Sequence, residues 1–174
     1  MREPDRLFIA CDANASGLLE TAWKARRKPS RGGIPNLICL GEPLDRLAAE
    51  LGVIADRVSI ILPWGSLLRT VAAPDPSSLQ QIQSLCLPGA ELEIVFSWDP
   101  QRDGVEGARL GLSPLTEAHI AHHLRAVYRE ASLEITMAER LSGVELAGYE
   151  TTWAKRLASG RAREIWRIQA TATR

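Results

Sequence analysis

The chain lacks most of the features that mark specialised protein classes. Its three cysteines, Cys11, Cys39 and Cys86, are odd in number, far apart and set among apolar neighbours. That excludes a disulfide framework or a paired-cysteine metal knuckle and suits free core thiols in a reducing cytoplasm. No run approaches the roughly 20 apolar residues that span a bilayer, and Met1-Arg2-Glu3-Pro4-Asp5-Arg6 has no apolar signal core, so the sequence reads as cytoplasmic, with no membrane partner. Excess charge is absent too: 21 Lys and Arg balance 21 Asp and Glu, so any polyanion must be recognised by local clusters. There is no phosphate loop, no nucleophile beside a base and no internal repeat. His119, His122 and His123 share helical spacing without an acid or cysteine ligand at a suitable offset, so no metal site is expected.

What is present, 45% hydrophobic and 24% charged residues in 174, describes one globular domain over 1–174 with an ordinary core. The apolar runs Leu7 to Cys11, Asn36 to Leu40 and Arg57 to Leu62 read as strands, the first buried on both faces. Between them the spacing predicts helices over 16–28, capped by Ser16 with Leu18, Leu19, Ala22 and Trp23 on the core face, and over 44–51. Such alternation calls for parallel strands joined by right-handed crossovers. Asp75-Pro76 opens a helix ending at Pro88-Gly89, and Leu92, Ile94, Phe96 and Trp98 alternate along a fourth strand. A loop over 99–112, a helix from Ser113-Pro114 to about Glu130, and a strand around Leu133 to Met137 follow. A non-helical excursion over 142–163 then leads to a strand from Ile165 to Ala172, giving the sheet an antiparallel end.

Pro63-Trp64-Gly65 breaks the third strand into a loop, and in open α/β sheets ligands bind beyond the carboxyl ends of strands. Trp64 there either stacks on a flat ligand or caps the core. Asp12, closing the first strand, suits the two hydroxyls of a ribose or, equally, a turn or helix cap. Asp45 lies on the same edge and suits an exocyclic amine. Two clusters interrupt the neutral average: Lys24, Arg26, Arg27, Lys28 and Arg31, and Lys155, Arg156, Arg161, Arg163 and Arg167 with Trp153 beside them. Either is a solvated face or, where an aromatic joins arginines, a grip on an unstacked base and its phosphates.

With Ala10-Cys11-Asp12-Ala13, Gly32-Gly33-Ile34-Pro35-Asn36, Leu62-Pro63-Trp64-Gly65-Ser66-Leu67-Leu68 and Thr151-Thr152-Trp153-Ala154-Lys155-Arg156-Leu157 in view, the chain resembles the aminoglycoside-resistance methyltransferases that modify N1 of adenine 1408 in 16S rRNA. The resemblance runs from about Arg6 to Ala170 and implies a class I, Rossmann-like methyltransferase sheet, mostly parallel with an antiparallel C-terminal end. It implies S-adenosylmethionine as methyl donor, with S-adenosylhomocysteine as product, and a monomer acting on 16S rRNA in the assembled 30S subunit. It further implies that Trp64 and Trp153 hold the flipped adenine and that Asp12 holds the cofactor ribose, with Leu44 and Asp45 at its adenine. Leu62, Pro63, Trp64, Gly65, Ser66, Leu67 and Thr151 complete the implied cofactor contacts. Lys24, Arg26, Arg27, Lys28 and Arg31, with Lys155, Arg156, Arg161 and Arg163, are implied to bind rRNA. No general base is needed, because neutral adenine N1 already carries a lone pair. Family members begin with a further strand and a glycine-rich cofactor loop, whereas here the first strand is the ribose-acid strand. A fragment, a misassigned start and a natural truncation are all consistent with that. So are two other functions: a cofactor-deficient RNA-binding relative, and a methyltransferase of another RNA or a small molecule.

Overall fold

In the computed structural model, residues 3–149, 151–159 and 163–174 are described, and the chain divides into two compact units, Met1–Leu51 and Gly52–Arg174.

In the first unit, β1 (Phe8–Cys11) pairs in parallel with β2 (Leu37–Leu40), Cys11 opposite Leu40, and the crossover carries α1 (Ala15–Ala25). A second helix, α2 (Leu44–Leu51), has the predicted bounds. Three expectations are corrected here. Asn14, not Ser16, caps α1: its Oδ1 accepts from the Ser16 N–H at 3.2 Å and the Ser16 hydroxyl at 2.6 Å. Leu19 and Trp23 are exposed rather than core, since Ala25 is the buried residue of this short helix. β1 is only partly buried and Cys11 is exposed, because a two-stranded sheet leaves part of each strand open; Cys39 is half-buried and only Cys86 lies in the core. Burial pushes the Cys86 thiol up to about 11, which keeps it protonated and inert.

The turn into β2 is built on glycine. Gly32 takes φ of +81°, and Gly33 lies so close to the backbone carbonyl of Arg27 that a Cβ has no room. Gly33→Ala is expected to destabilise the protein by about 1–3 kcal/mol through overpacking. Gly104→Ala, where nothing lies within 4 Å of the added methyl, is the matched control and should melt like the parent protein. Equal melting temperatures for the two variants would contradict the close approach at Gly33.

The second unit holds a four-stranded sheet in the order β3-β4-β6-β5, formed by β3 (Ala55–Ile61), β4 (Cys86–Ser97), β5 (Leu133–Arg140) and β6 (Ile165–Ala172). β3 and β4 are parallel; β6 runs antiparallel to both β4 and β5, the antiparallel end expected. Leu92, Ile94 and Phe96 on one face of β4 and Val95 on the other are at most 2% exposed, as befits a central strand covered on both sides. On the helical side α3 (Gly65–Ala72), α4 (Pro76–Gln83) and α6 (Arg125–Glu130) contribute Leu68, Val71, Leu79, Ile82 and Tyr128 to the core. The buried Tyr128 hydroxyl donates to the Val71 carbonyl at 3.0 Å, and burial raises its pKa far above the usual phenol range.

Asp75 caps α4 as predicted, accepting from the Ser78 N–H at 2.9 Å. Pro88-Gly89 does not end that helix. It lies inside β4, where Ala55↔Cys86 is followed by Arg57↔Glu91, so the extra residues bulge and Gly89 takes φ of +82°. The stretch 99–112 contains α5 (Gly104–Leu110), whose glycines disguise it. Gly107 is required there, because the Trp98 ring occupies the space a side chain would fill. The long helix opens later than Ser113. Thr116 Oγ1 accepts from the His119 N–H at 3.1 Å, and π-helical turns over His119–Leu124 lead into α6. The excursion over 142–163 is helical in two places, α7 (Gly143–Ala147) and α8 (Thr152–Ser159). A reciprocal capping box between Ser142 and Glu145 starts α7. Among the described residues no helix is long and apolar enough to cross a membrane, and no group of three His, Cys, Asp or Glu is placed to hold a metal.

Candidate functional site

The two tryptophan motifs converge on one cleft of the second unit, and the convergence follows from a shared core. Val95, Leu141, Leu146, Ala154 and Ile165 form a buried cluster, against which Ile61, Leu62, Tyr149 and Leu157 pack. Leu62 leaves β3 two residues before Trp64, and Ala154 of α8, fully buried, follows Trp153 directly. Burying Leu62 and Ala154 in one cluster therefore presents both indoles at its rim, Trp64 50% and Trp153 52% exposed. The cleft measures about 180 Å³ and is lined by Leu62, Pro63, Trp64, Ser97, Asp103, Trp153, Leu157 and Arg163.

Local backbone fixes Trp64. The Leu62 N–H still donates to the Val95 carbonyl at 2.7 Å, then Leu62 turns at φ of +51°, and Trp64 stands at the N-cap of α3 in extended conformation before Gly65 at φ of +60°. Positive φ at a leucine is strained, and such strain collects where a loop is held for a purpose. Ser66 is exposed and Leu67 half-buried in the first turn. Just before α8, Thr151 is exposed and its Oγ1 accepts from the Ala154 N–H at 3.0 Å, which holds the helix start that carries Trp153.

The cleft also contains an ion pair that motif reading missed. Arg163 Nη2 donates to Asp103 Oδ2, with side chains 11% and 12% exposed, and Arg163 Nε is buried without a partner among the described residues. Asp103 Oδ2 accepts from the Asp99 N–H at 3.1 Å as well, and the Ser97 hydroxyl donates to the Glu164 carbonyl at 2.9 Å, which ties the end of β4 to the segment carrying Arg163. Arg163, expected beside Trp153 as an rRNA-binding residue, thus lies in the same cleft as both tryptophans, but paired with an acid. The signal for Asp103 was faint: an acid in a Gly/Asp/Arg-rich stretch, 60 residues from its partner.

Across the sheet, the Tyr149 hydroxyl donates to Glu93 on β4 at 2.6 Å and Arg167 on β6 pairs with Glu139 on β5. Burial, followed by the Glu93 hydrogen bond, raises the Tyr149 pKa; the Glu139 hydrogen bond raises that of Arg167 beyond its already high value. Arg167 is thereby committed within the fold.

In the first unit, Asp12 and Asp45 follow β1 and β2 at the carboxyl edge of one parallel sheet, where the Asp12 N–H donates to the Leu40 carbonyl at 3.2 Å. Asp12 is exposed, and its Oδ1 accepts from the Asn14 N–H at 2.8 Å, so it does close a turn while the residue stays open to solvent. Leu44 is half-buried and Asp45 exposed at the start of α2. Lys24, Arg26, Arg27, Lys28 and Arg31 are exposed at the end of α1 and the turn after it; Lys24 also pairs with Glu20 at 2.6 Å, an acid one turn earlier. Lys155 and Arg156 are exposed on α8, and Arg161 lies outside the described residues.

Residues 1–172 match the family model described as NpmA, 16S rRNA (adenine(1408)-N(1))-methyltransferase. The 16S rRNA (adenine(1408)-N(1))-methyltransferase of Streptoalloteichus tenebrarius is 34% identical over 163 residues, 93% of this chain and 74% of the relative. Its counterpart in Escherichia coli is 28% identical over 169 residues, 97% of this chain and 77% of the relative. Among solved structures, the aminoglycoside resistance methyltransferase NpmB1 is 44% identical with a TM-score of 0.78 over 94% of this chain and 74% of its own. The 16S rRNA methyltransferase KamB is 31% identical with a TM-score of 0.85 over 98% and 79%. By sequence and by fold, the chain belongs to the 16S rRNA (adenine(1408)-N(1))-methyltransferase family.

Proposed function

We propose that the protein transfers a methyl group from S-adenosylmethionine to N1 of adenine 1408 of 16S rRNA within the 30S subunit, and so confers aminoglycoside resistance. It would do so as a monomer, in the cytoplasm where ribosomes are found, with residues 1–174 contributing to one methyltransferase domain. The observation that carries this reading is the convergence of Trp64 and Trp153 on one cleft that also holds Arg163. Two half-exposed indoles suit a flat, flipped base between them, and a guanidinium beside them suits the phosphate of that nucleotide.

S-adenosylmethionine, when bound, supplies an electrophilic methyl group on a sulfonium, and adenine N1 attacks it with a lone pair it already has. The protein's part is therefore to extract the base, align it and keep it aligned. No proton has to be removed before attack, and the positive charge left on the ring can be relieved later by loss of an N6 proton to solvent. The exposed Asp12 carboxylate suits a ribose diol, and Leu44 and Asp45 on the same sheet edge suit an adenine ring and its amine. Rate then comes mainly from orientation, which is why no buried base is needed.

The direct test is primer extension across the decoding site of 30S subunits incubated with protein and S-adenosylmethionine. A methyl group on N1 blocks Watson–Crick pairing and stops the polymerase one nucleotide short; subunits that give no stop would overturn the reading. At the cofactor, Asp12→Ala should weaken S-adenosylmethionine binding by about 1.5–3 kcal/mol, the worth of a hydrogen bond to a charged group. Calorimetry reads that directly, and wild-type affinity in the variant would remove Asp12 from the site.

A further inference from the structure

We propose that Trp23 and Arg27 form a second nucleotide-stacking platform, separate from the adenine cleft, that receives an unpaired rRNA base when the protein docks; this rests on the function proposed above. Trp23 is 63% exposed on α1, although a tryptophan is among the side chains that gain most from burial. One turn later Arg27 places its guanidinium carbon 4.2 Å from the centroid of the indole. That contact stiffens a side chain with few rotors and presents a flat apolar plane joined to a fixed positive charge. Arg26, Lys28 and Arg31 are exposed around it.

The occupant follows from the combination. An apolar protein surface would cover the indole but leave a concentrated positive charge unmatched, whereas a nucleotide offers a π-face for the ring and a phosphate for the cations. Unstacked bases in RNA loops are held on aromatic rings and guanidinium planes in this way. Glu20 pairs with Lys24 and also feels the charge of Arg27, so Arg26, Lys28 and Arg31 carry the rest of the positive charge beside the Trp23–Arg27 stack. A platform here adds affinity at a distance from the reacting adenine, which helps a small enzyme select an assembled subunit over other RNA.

The test is binding of the intact protein to 30S subunits across a salt series. Trp23→Ala should weaken binding about 5- to 150-fold, the range seen for loss of one base–aromatic stack, without changing the salt slope. Trp23→Phe should recover most of the affinity, and melting temperature and S-adenosylmethionine affinity should stay at parent values. Arg27→Ala should instead lower the salt slope by about one. In the Arg27→Ala background Trp23→Ala should still weaken binding, and chemical probing should find a base outside the decoding site that the parent protein shields and the variant does not. The proposal falls if Trp23→Ala binds like the parent, if its effect vanishes in the Arg27→Ala background, or if binding weakens with no change at any base, which would indicate a protein contact. Failure of the parent protein itself to bind subunits would instead sink the rRNA reading on which the platform rests.

Discussion

Trp64→Ala and Trp153→Ala are each expected to abolish methyl transfer to the 30S subunit while leaving the melting temperature close to that of the parent, and Trp153→Ala should also keep the parent's S-adenosylmethionine affinity. The indoles are 50% and 52% exposed, so truncating either removes little core. Each stacking contact is worth about 1–3 kcal/mol, and extracting a base costs a few kcal/mol, so both contacts are needed to offset the extraction. Losing one also frees the base to tilt, and misplacement by about 1 Å is enough to lower a rate about 100-fold. Two residues that sandwich one ring act as a unit, so the double variant should be scarcely worse than either single one. Primer extension reads the outcome, and a full-strength stop from either variant would mark its tryptophan as a packing residue at the rim of the core.

Local periodicity carried much of the fold. The bounds of α2 and β6 and the cap on α4 follow from apolar spacing and Asp75-Pro76, because those elements bury one face in a regular pattern. The misses arose where tertiary packing overrides local preference. α5 hides behind two glycines, one of them demanded by the Trp98 ring. Pro88-Gly89 has the composition of a helix terminator yet serves as a bulge, since parallel pairing with β3 resumes at Glu91. The capping box that starts α7 stands in the sequence as Ser142-x-x-Glu145, but the segment after it has little helical periodicity to mark a helix. At the site, Trp64 and Trp153 were marked by their motifs, but nothing local says that both rest on one cluster with Leu62 and Ala154. Asp103 was beyond reach, for its meaning lies entirely in a partner brought to it by the pairing of β4 with β6.

That partner makes Asp103 the second sensitive position. Asp103→Ala leaves the Arg163 guanidinium, 11% exposed and already carrying an unpartnered Nε, without its counter-charge. Breaking a buried pair from one side costs about 3–5 kcal/mol, and the small residual exposure here places the expectation at the lower end. At about 2–4 °C per kcal/mol for a protein of this size, melting should fall by roughly 6–12 °C. Removing both partners is expected to be milder than removing Asp103 alone, since no orphaned charge remains, and Asp103→Glu should recover part of the loss. The same geometry bears on the rRNA: Asp103 holds the guanidinium at the wall of the cleft, where its remaining donors can meet the phosphate beside the flipped adenine. Arg163→Ala should therefore weaken subunit binding and lower its salt slope by about one. Thermal unfolding of the two single variants and the double variant, with a subunit-binding titration on Arg163→Ala, separates the two roles. An Asp103→Ala protein that melts with the parent would deny the pair its structural part, and an unchanged salt slope in Arg163→Ala would deny Arg163 its phosphate.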